Sequence, residues 1–161
     1  VNLVDRALRD THLPAANLEL EITESTMMRS PGTTRRVLRQ LRDIGVQVAI
    51  DDFGTGYSSL SHLKLLPLTK LKIDKSFVSD IPGDANDAAI ARAIILLGRS
   101  LALETLAEGI ETAEQLAFLR REGCGAGQGY LFAKPMPADA LVAYLTPGEG
   151  GDERALTLVA P

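Results

Sequence analysis

Several segments of the chain place apolar residues at the three- and four-residue spacing of an amphipathic helix. In residues 33–44, Val37, Leu38, Leu41 and Ile44 fall on one face, and a glycine follows as a typical C-terminal residue. The same spacing predicts further helices over residues 2–11, 60–66, 88–101, 112–121 and 137–145.

Other segments alternate strictly between apolar and polar positions, which indicates strands. In residues 18–22 leucine and isoleucine alternate with glutamate, and in residues 70–74 leucine and isoleucine alternate with lysine and aspartate. Additional strands are predicted over residues 46–50, 104–107 and 126–132, because each is a short apolar or glycine-rich run between predicted helices.

The predicted strands and helices take turns along the chain, which favours an α/β fold with a parallel sheet. Two arrangements of five strands are open: a doubly wound sheet, or part of a TIM-like (β/α) barrel. The central strands of a doubly wound sheet are covered by helices on both faces and are apolar throughout. The polar positions in residues 18–22 and 70–74 therefore favour an incomplete barrel of about five strands, with the helices outside.

Composition narrows the class of protein. The chain has 161 residues, 45% of them hydrophobic, which is enough for one domain with a core. No apolar run reaches the roughly 18 residues that span a bilayer, so we expect no membrane contact and a cytoplasmic location. A net charge of −4 argues against DNA or RNA as a partner. The single cysteine, Cys124, has no partner for an intrachain disulfide and is expected to act as a small buried hydrophobe.

Two adjacent carboxylates follow the strand predicted over residues 46–50. Asp51 and Asp52 repel each other, and such a pair needs a compensating charge, most often a divalent cation or a nearby lysine or arginine. Gly54 and Gly56 follow as a tight loop. The alternative is that the aspartates form an Asx-turn that caps the next helix, and the pair alone does not decide between the two interpretations.

Polar side chains also lie near the C-terminal ends of the remaining four predicted strands. In parallel barrels these ends meet at one rim, where catalytic groups gather. Carboxylates in such a cluster suit Mg²⁺ or Mn²⁺, and two metal ions can activate a water and stabilise the leaving oxygen of a phosphodiester. The candidate residues are Glu21, Glu24, Asp51, Asp52, Lys72, Asp74, Glu108, Glu111 and Gln128.

Each candidate also has a structural interpretation of its own. Glu24 and Glu111 are suitably placed to cap helices, Lys72 to form an ordinary salt bridge, and Gln128 to hydrogen-bond a loop. If the cluster is real, Lys72 would orient the water, deprotonate it or neutralise the acids.

Five segments carry a resemblance to a known family. They resemble, in order and spacing, the motifs of EAL-domain cyclic-di-GMP phosphodiesterases, and the match runs from about residue 3 to residue 145. The segments are residues 21–24, 51–60, 72–78, 107–112 and 128–135. The resemblance implies an EAL-domain portion over residues 1–146. Gly148, Gly150 and Gly151 predict a flexible tail over 147–161, in which residues 156–159 could add a short strand.

The resemblance implies a fold, a reaction and a set of residue roles. The fold would be a TIM-like barrel with one antiparallel strand, and the reaction Mg²⁺- or Mn²⁺-dependent hydrolysis of cyclic di-GMP to linear pGpG. Metal ligands would be Glu21, Asp51, Asp52 and Glu108, and the catalytic residues Lys72, Glu108 and Gln128. Glu24 would anchor the loop 53–59, which the family links to dimerisation. Asp74 and Glu111 would be supporting or substrate-side residues.

The sequence also departs from the family pattern. The Glu-Ala-Leu motif, a substrate-binding arginine and an asparagine ligand are absent, and Asn2 lies too few residues before Glu21 to be that asparagine. We therefore expect a piece of a longer polypeptide, inactive and prone to self-association by itself. The parent is expected to form a homodimer and to carry an upstream sensory or GGDEF-type domain.

Two other functions remain for comparison. A catalytically degenerate EAL-like domain could serve as a cyclic-di-GMP receptor or interaction module, but such domains are expected to lose Asp51 or Asp52, which are present here. A phosphoacceptor receiver domain would need a further aspartate after a middle strand, where this chain has the apolar residues 88–101.

Overall fold

The computed structural model describes residues 1–56 and 63–146. The strands are β1 (Glu19–Thr23), β2 (Gln47–Phe53), β3 (Lys70–Ile73), β4 (Glu104–Ala107) and β5 (Ala126–Gly127). The helices are α1 (Asn2–Thr11), α2 (Glu24–Arg29), α3 (Pro31–Asp43), α4 (Ala85–Ser100), α5 (Ala113–Glu122) and α6 (Ala138–Leu145). Single 3-10 turns occupy Ala15–Asn17 and Lys75–Phe77.

The five strands form one parallel sheet in the order β1-β2-β3-β4-β5, and the described residues do not close it into a barrel. The register pairs Ile22 with Ile50, Ile50 with Leu71 and Leu71 with Thr105. The predicted α/β class and the five parallel strands are confirmed. Because all strands run in one direction, their C-terminal ends lie along a single edge of the sheet.

The two faces of the sheet differ in polarity. Ile50, Leu71 and Ile73 are fully buried in a core shared with helix residues such as Ile95 and Phe118. The opposite face is charged, and the polar positions of the alternating strands lie there as predicted. At the N-terminal ends of the strands on this face, Lys70 Nζ lies 2.8 Å from Glu19 Oε2 and 3.4 Å from Glu104 Oε2.

Local hydrogen bonds set the beginning of α4. The helix was expected from residue 88, but it begins at Ala85 because the Asp84 carboxylate accepts hydrogen bonds from the backbone N–H groups of Asn86 (2.7 Å) and Asp87 (3.0 Å). An aspartate in a polar segment is thus the N-cap rather than part of a loop.

The last strand is shorter than the alternation predicted. Residues 126–132 were expected to be extended, but the strand ends after Gly127. Gly129 has a φ of 156° and lies so close to the backbone of Ile110 that a side chain would clash. The chain therefore turns at this glycine.

Some predictions fall outside the described ranges. Residues 60–62 of the predicted helix 60–66 and the whole tail 147–161 are in this category. Within the described ranges, none of the helices is both long and apolar enough for a membrane span.

Candidate active site

Lys72 is the centre of a charged cluster at the C-terminal edge of the sheet. Only 4% of the residue is exposed. Its Nζ lies 2.7 Å from Glu21 Oε1, 2.7 Å from Asp51 Oδ1 and 2.6 Å from Glu108 Oε1. These acids come from β1, β2 and the residue directly after β4, so the parallel register brings three separate segments to one ammonium group.

Burial and charge act in opposite directions on this cluster. Burial disfavours the charged form of Lys72, but hydrogen bonds to Asp51, Glu108 and Glu21 outweigh it and raise the pKa of the ammonium group. Burial raises the pKa of Glu108, although the neighbouring ammonium of Lys72 acts the other way. One cation thus faces three carboxylates, and the cluster has an excess of negative charge.

An irregularity in β2 turns two consecutive side chains toward the same site. Neighbouring residues of a regular strand point to opposite faces. Asp52 has a φ of 53°, and the pairing of β2 with β3 shifts between Ile50 and Phe53. As a result, carboxylate oxygens of Asp51, Asp52 and Glu108 all lie within 4.8 Å of one another.

The three carboxylates fit a divalent cation by their chemistry. Burial raises the pKa of Asp52, and the charges of Asp51 and Asp74 add to that effect. Oxygen ligands of this kind suit hard cations such as Mg²⁺, Ca²⁺ and Mn²⁺. A cation held by Asp51, Asp52 and Glu108 would remove the repulsion among them.

Gln128 extends the cluster to β5. Its Nε2 donates to Glu108 Oε1 at 2.8 Å. The backbone N–H of Gln128 donates to Ala107 O (2.8 Å), and its carbonyl accepts from Ile110 N–H (3.0 Å), so the residue is fixed just beyond the strand.

Glu24 lies under the glycine loop that follows β2. The residue is 3% exposed, and its Oε2 accepts a hydrogen bond from Gly54 N–H at 3.3 Å. A Cβ atom at Gly56 would lie 2.9 Å from Glu24 Oε1, so a larger residue here would require the carboxylate to shift. The Thr23 hydroxyl caps α2 by accepting from Thr26 N–H, so Glu24 itself does not act as the cap.

A cleft of about 480 Å³ opens beside Glu108 and Gln128. Lys75 and Glu111 lie on its wall and form an exposed ion pair of 2.6 Å. Two lysines lie over the ring of Tyr130, with Lys75 Nζ 6.0 Å and Lys134 Nζ 5.6 Å from its centre. The volume is in the range of small-molecule sites.

Asp74 lies at the start of the turn after β3. Its carboxylate accepts from the backbone N–H of Ser76 at 2.9 Å and from the Ser76 hydroxyl. Burial acts to raise its pKa, but these hydrogen bonds prevail and lower it. Asp74 also faces Asp52, which places it next to the carboxylate group.

Reasoning from single residues missed three members of this region. Lys75, Tyr130 and Lys134 lie in the segments that carry the family resemblance but were assigned no role in an EAL-type site. Lysines flanking an aromatic residue are a usable signal only once the turn at Gly129 is known, because residues 75 and 130 are far apart in the chain. Fold and site together define an α/β domain with an acidic, lysine-centred site at the C-terminal edge of a parallel sheet.

Comparison with known sequences identifies the family. The EAL domain profile matches residues 1–135. The chain is 50% identical over 145 residues to the cyclic di-GMP phosphodiesterase NbdA of Pseudomonas aeruginosa. It is also 50% identical over 143 residues to MucR of the same organism, a bifunctional diguanylate cyclase/cyclic di-GMP phosphodiesterase. The chain therefore belongs to the EAL domain family.

These alignments cover 90% and 89% of this chain, but only 18% and 21% of the relatives. The chain thus spans about a fifth of the length of the two relatives.

Solved structures agree with this assignment. The MucR phosphodiesterase in complex with c-di-GMP matches with a TM-score of 0.83 at 50% identity, over 86% of this chain and 56% of that chain. The EAL domain of Mycobacterium smegmatis DcpA gives 0.83 at 44% identity, over 88% and 64% of the chains. Klebsiella pneumoniae BlrP1, solved with manganese and c-di-GMP, gives 0.78 at 34% identity, over 83% and 34% of the chains.

Proposed function

We propose that residues 1–146 form part of an EAL domain that hydrolyses cyclic di-GMP to linear pGpG. In this reaction water attacks one phosphorus, the P–O3′ bond breaks, and the ring opens. Support comes from relatives named as cyclic di-GMP phosphodiesterases and from similar structures solved with c-di-GMP. The observation that carries the proposal is the meeting of Glu21, Asp51, Asp52 and Glu108 around Lys72.

The carboxylates are proposed to hold Mg²⁺ or Mn²⁺, two ions in the complete site. The proposed ligands are Glu21, Asp51, Asp52 and Glu108. Bound divalent cations supply charge stabilisation at the phosphate and make water a stronger nucleophile at neutral pH. Manganese and calcium in similar EAL structures support a divalent cation here.

Lys72 is proposed to hold the ligands together and to orient the attacking water. An ammonium group has three N–H donors and no lone pair, so Lys72 in its charged form cannot take a proton. Glu108 is the proposed acceptor of the proton, through a carboxylate oxygen not used for a cation. Gln128 holds that carboxylate in place by its hydrogen bond of 2.8 Å.

Asp74 and Glu111 are proposed substrate-side residues. Glu111 lies on the wall of the cleft, as does Glu108, and Asp74 faces Asp52 and directly precedes Lys75 of that wall. Glu24 is proposed to fix the loop after β2 through Gly54. The parent protein is proposed to form a homodimer. It is also proposed to carry a GGDEF-type domain, and the bifunctional name of MucR supports this second proposal.

The test is hydrolysis of cyclic di-GMP with Mn²⁺ by the longest soluble polypeptide that carries this chain, with pGpG measured by chromatography. Asp51→Asn, Asp52→Asn and Lys72→Met are each expected to reduce turnover at least about a hundredfold. Asp43→Asn, at the end of α3, is the control and is expected to have no effect. Full activity of D51N would refute the metal assignment.

Binding of cyclic di-GMP without any turnover by the unaltered protein would contradict the proposal and identify a receptor instead. The same measurements on the 161-residue chain address its own activity, which we expect to be absent.

A further inference from the structure

Gln115 is almost completely buried, with 4% of the residue exposed, although glutamine is usually a surface residue. It lies in the first turn of α5. Its Oε1 accepts hydrogen bonds from the backbone N–H groups of Glu111 (2.7 Å) and Thr112 (2.9 Å). Its Nε2 donates to Ser79 O at 2.9 Å. Both ends of the amide are therefore used, and they are used by different segments.

The first of these contacts has an ordinary explanation. Thr112 and Gln115 form a capping box, in which the Thr112 hydroxyl accepts from Gln115 N–H and the Gln115 side chain accepts from Thr112 N–H. This arrangement satisfies N–H groups that a helix leaves without partners in its first turn.

The contact with Ser79 is not explained by capping. Ser79 is 36 residues earlier in the chain, two residues after the 3-10 turn Lys75–Phe77 that follows β3. A glutamate at position 115 would complete the capping box equally well and would favour the helix N-terminus by its charge. Glutamate could not donate a hydrogen bond to a carbonyl, however, so only the bridge to Ser79 requires an amide.

The two bridged segments both carry residues of the cleft. The turn after β3 contains Lys75, and the loop before α5 contains Glu111. The two side chains pair directly at 2.6 Å, but that pair is exposed and contributes little by itself. The bridge from Gln115 to Ser79 is part-buried, because its Gln115 end is only 4% exposed, so solvent competes with it less than with the exposed pair of Lys75 and Glu111.

We propose that Gln115 is a positioning residue that holds Lys75 and Glu111 at the correct separation on the cleft wall. The consequence for catalysis rests on the function proposed above. The geometric part, a link between the turn after β3 and the loop before α5, does not depend on that function.

The geometric part is tested by amide hydrogen exchange on the full chain with a matched pair of variants. Gln115→Glu keeps the capping acceptor and loses the donor to Ser79, whereas Thr112→Ala loses part of the cap and keeps the donor. We expect Q115E to accelerate exchange in residues 75–79 about fivefold, the factor that corresponds to one ordinary hydrogen bond, while Glu111 and Thr112 stay protected. T112A is expected to affect only the first turn of α5.

Unchanged exchange in residues 75–79 of Q115E would overturn the proposal, as would an equal change in T112A. If Q115E does not fold, Gln115→Met replaces it. This variant has a similar size but neither donor nor acceptor, and faster exchange in residues 75–79 is then expected in Q115M but not in T112A.

The catalytic part is tested in the hydrolysis assay. Q115E is expected to raise KM about fivefold and to leave kcat within about twofold, because Lys72 and its three carboxylates are untouched. T112A is expected to change neither constant. A Q115E that lowers kcat with an unchanged KM would contradict a positioning role at the cleft. If the unaltered protein shows no hydrolysis, the proposed function fails, while the exchange experiment still decides the role of Gln115.

Discussion

At the scale of single residues, Lys72 supplies the positive charge that stabilises the acidic cluster in the folded protein. Carboxylates from different strands repel one another, and this ammonium group, hydrogen-bonded to Glu21, Asp51 and Glu108, offsets part of that repulsion. Replacing a lysine that is 4% exposed by an apolar side chain would fill the same space but leave the acids without their counter-charge.

Lys72→Met is therefore expected to lower the free energy of unfolding by about 1–3 kcal/mol in EDTA. This is less than the loss of a fully buried ion pair, because the Glu21 side chain is 46% exposed. Mn²⁺ should reduce the difference, since a divalent cation can take over the role of counter-charge. Urea denaturation with and without the metal measures both effects.

Lys75→Met is the matched control, because its ion pair with Glu111 is exposed. It should change stability little in either buffer. A K72M protein that resembled this control in EDTA would show that the acids do not need Lys72.

Cys124 gives a prediction about pH. Burial raises the pKa of its thiol, although hydrogen bonds with the Thr105 side chain and with the backbone of Ala126 act the other way. A raised pKa leaves less thiolate at any given pH, so the folded chain should react with iodoacetamide at least about tenfold more slowly at pH 8 than the urea-unfolded chain.

The half-maximal rate of this labelling should also lie at a higher pH in the folded protein. By linkage, the protonated thiol stabilises the fold most below its unfolded pKa of about 8.5, and this contribution is lost as the pH rises. Equal labelling rates in both states would contradict the burial of the thiol.

Sequence reasoning found the acidic residues but not how they are connected. Glu21, Asp51 and Glu108 could be predicted to share an edge, since each lies near or directly after the C-terminal end of a predicted parallel strand. That Lys72 contacts all three depends on the register between strands, which no local pattern specifies. Gln115 gave no signal either, because a polar residue in the first turn of a helix is ordinary until its burial and its bond to Ser79 are known.

At the scale of elements, the close packing of α4 on β4 depends on a glycine. A methyl group added at Gly98 would clash with Cγ2 of Thr105, which is itself 5% exposed. The helix can lie this close to the sheet only because position 98 has no side chain.

Gly98→Ala is expected to reduce stability by about 1–3 kcal/mol, despite the better helix propensity of alanine. Gly32→Ala is the matched control, because nothing lies within 4 Å of a methyl group there, and it should raise stability by about 0.4–1 kcal/mol. Thermal unfolding of both variants gives the comparison. A G98A protein as stable as G32A would show that α4 can move away from the sheet at no cost.

The elements that were predicted well are those with a strong periodicity. Residues 33–44 were expected as a helix and form α3 over Pro31–Asp43, because their apolar face is continuous. The prediction of a strand over residues 126–132 was wrong beyond Gly127, because the turn at Gly129 depends on contact with Ile110, which is remote in sequence. Helix α2 was not predicted because its six residues are too few for a periodic pattern.

At the scale of the whole molecule, the described part of the sheet has two open edges. β1 pairs only with β2, and β5 only with β4. Unpaired strand edges offer hydrogen-bonding groups to any neighbouring chain. Helix α6 also has no buried residue, and Leu141, Val142, Tyr144 and Leu145 are exposed on it.

The 161-residue chain in isolation is therefore expected to self-associate. Light scattering coupled to gel filtration should give a mass that rises with concentration over a tenfold range. Replacing Val142 and Leu145 by glutamate should weaken association if α6 carries it, whereas association that persists would point to the strand edges. A constant monomer mass throughout would contradict the expectation.

Because side chains alternate along β3, a single strand register determines both the charged cluster and the apolar core. Lys70 and Lys72 face the acids, while Leu71 and Ile73 face the helices. A shift of one residue in the register of β3 would bury two ammonium groups in the apolar core and place two aliphatic side chains among carboxylates. A chain with this shifted register would not fold stably, so any well-folded preparation of the chain must already have its ionic centre assembled.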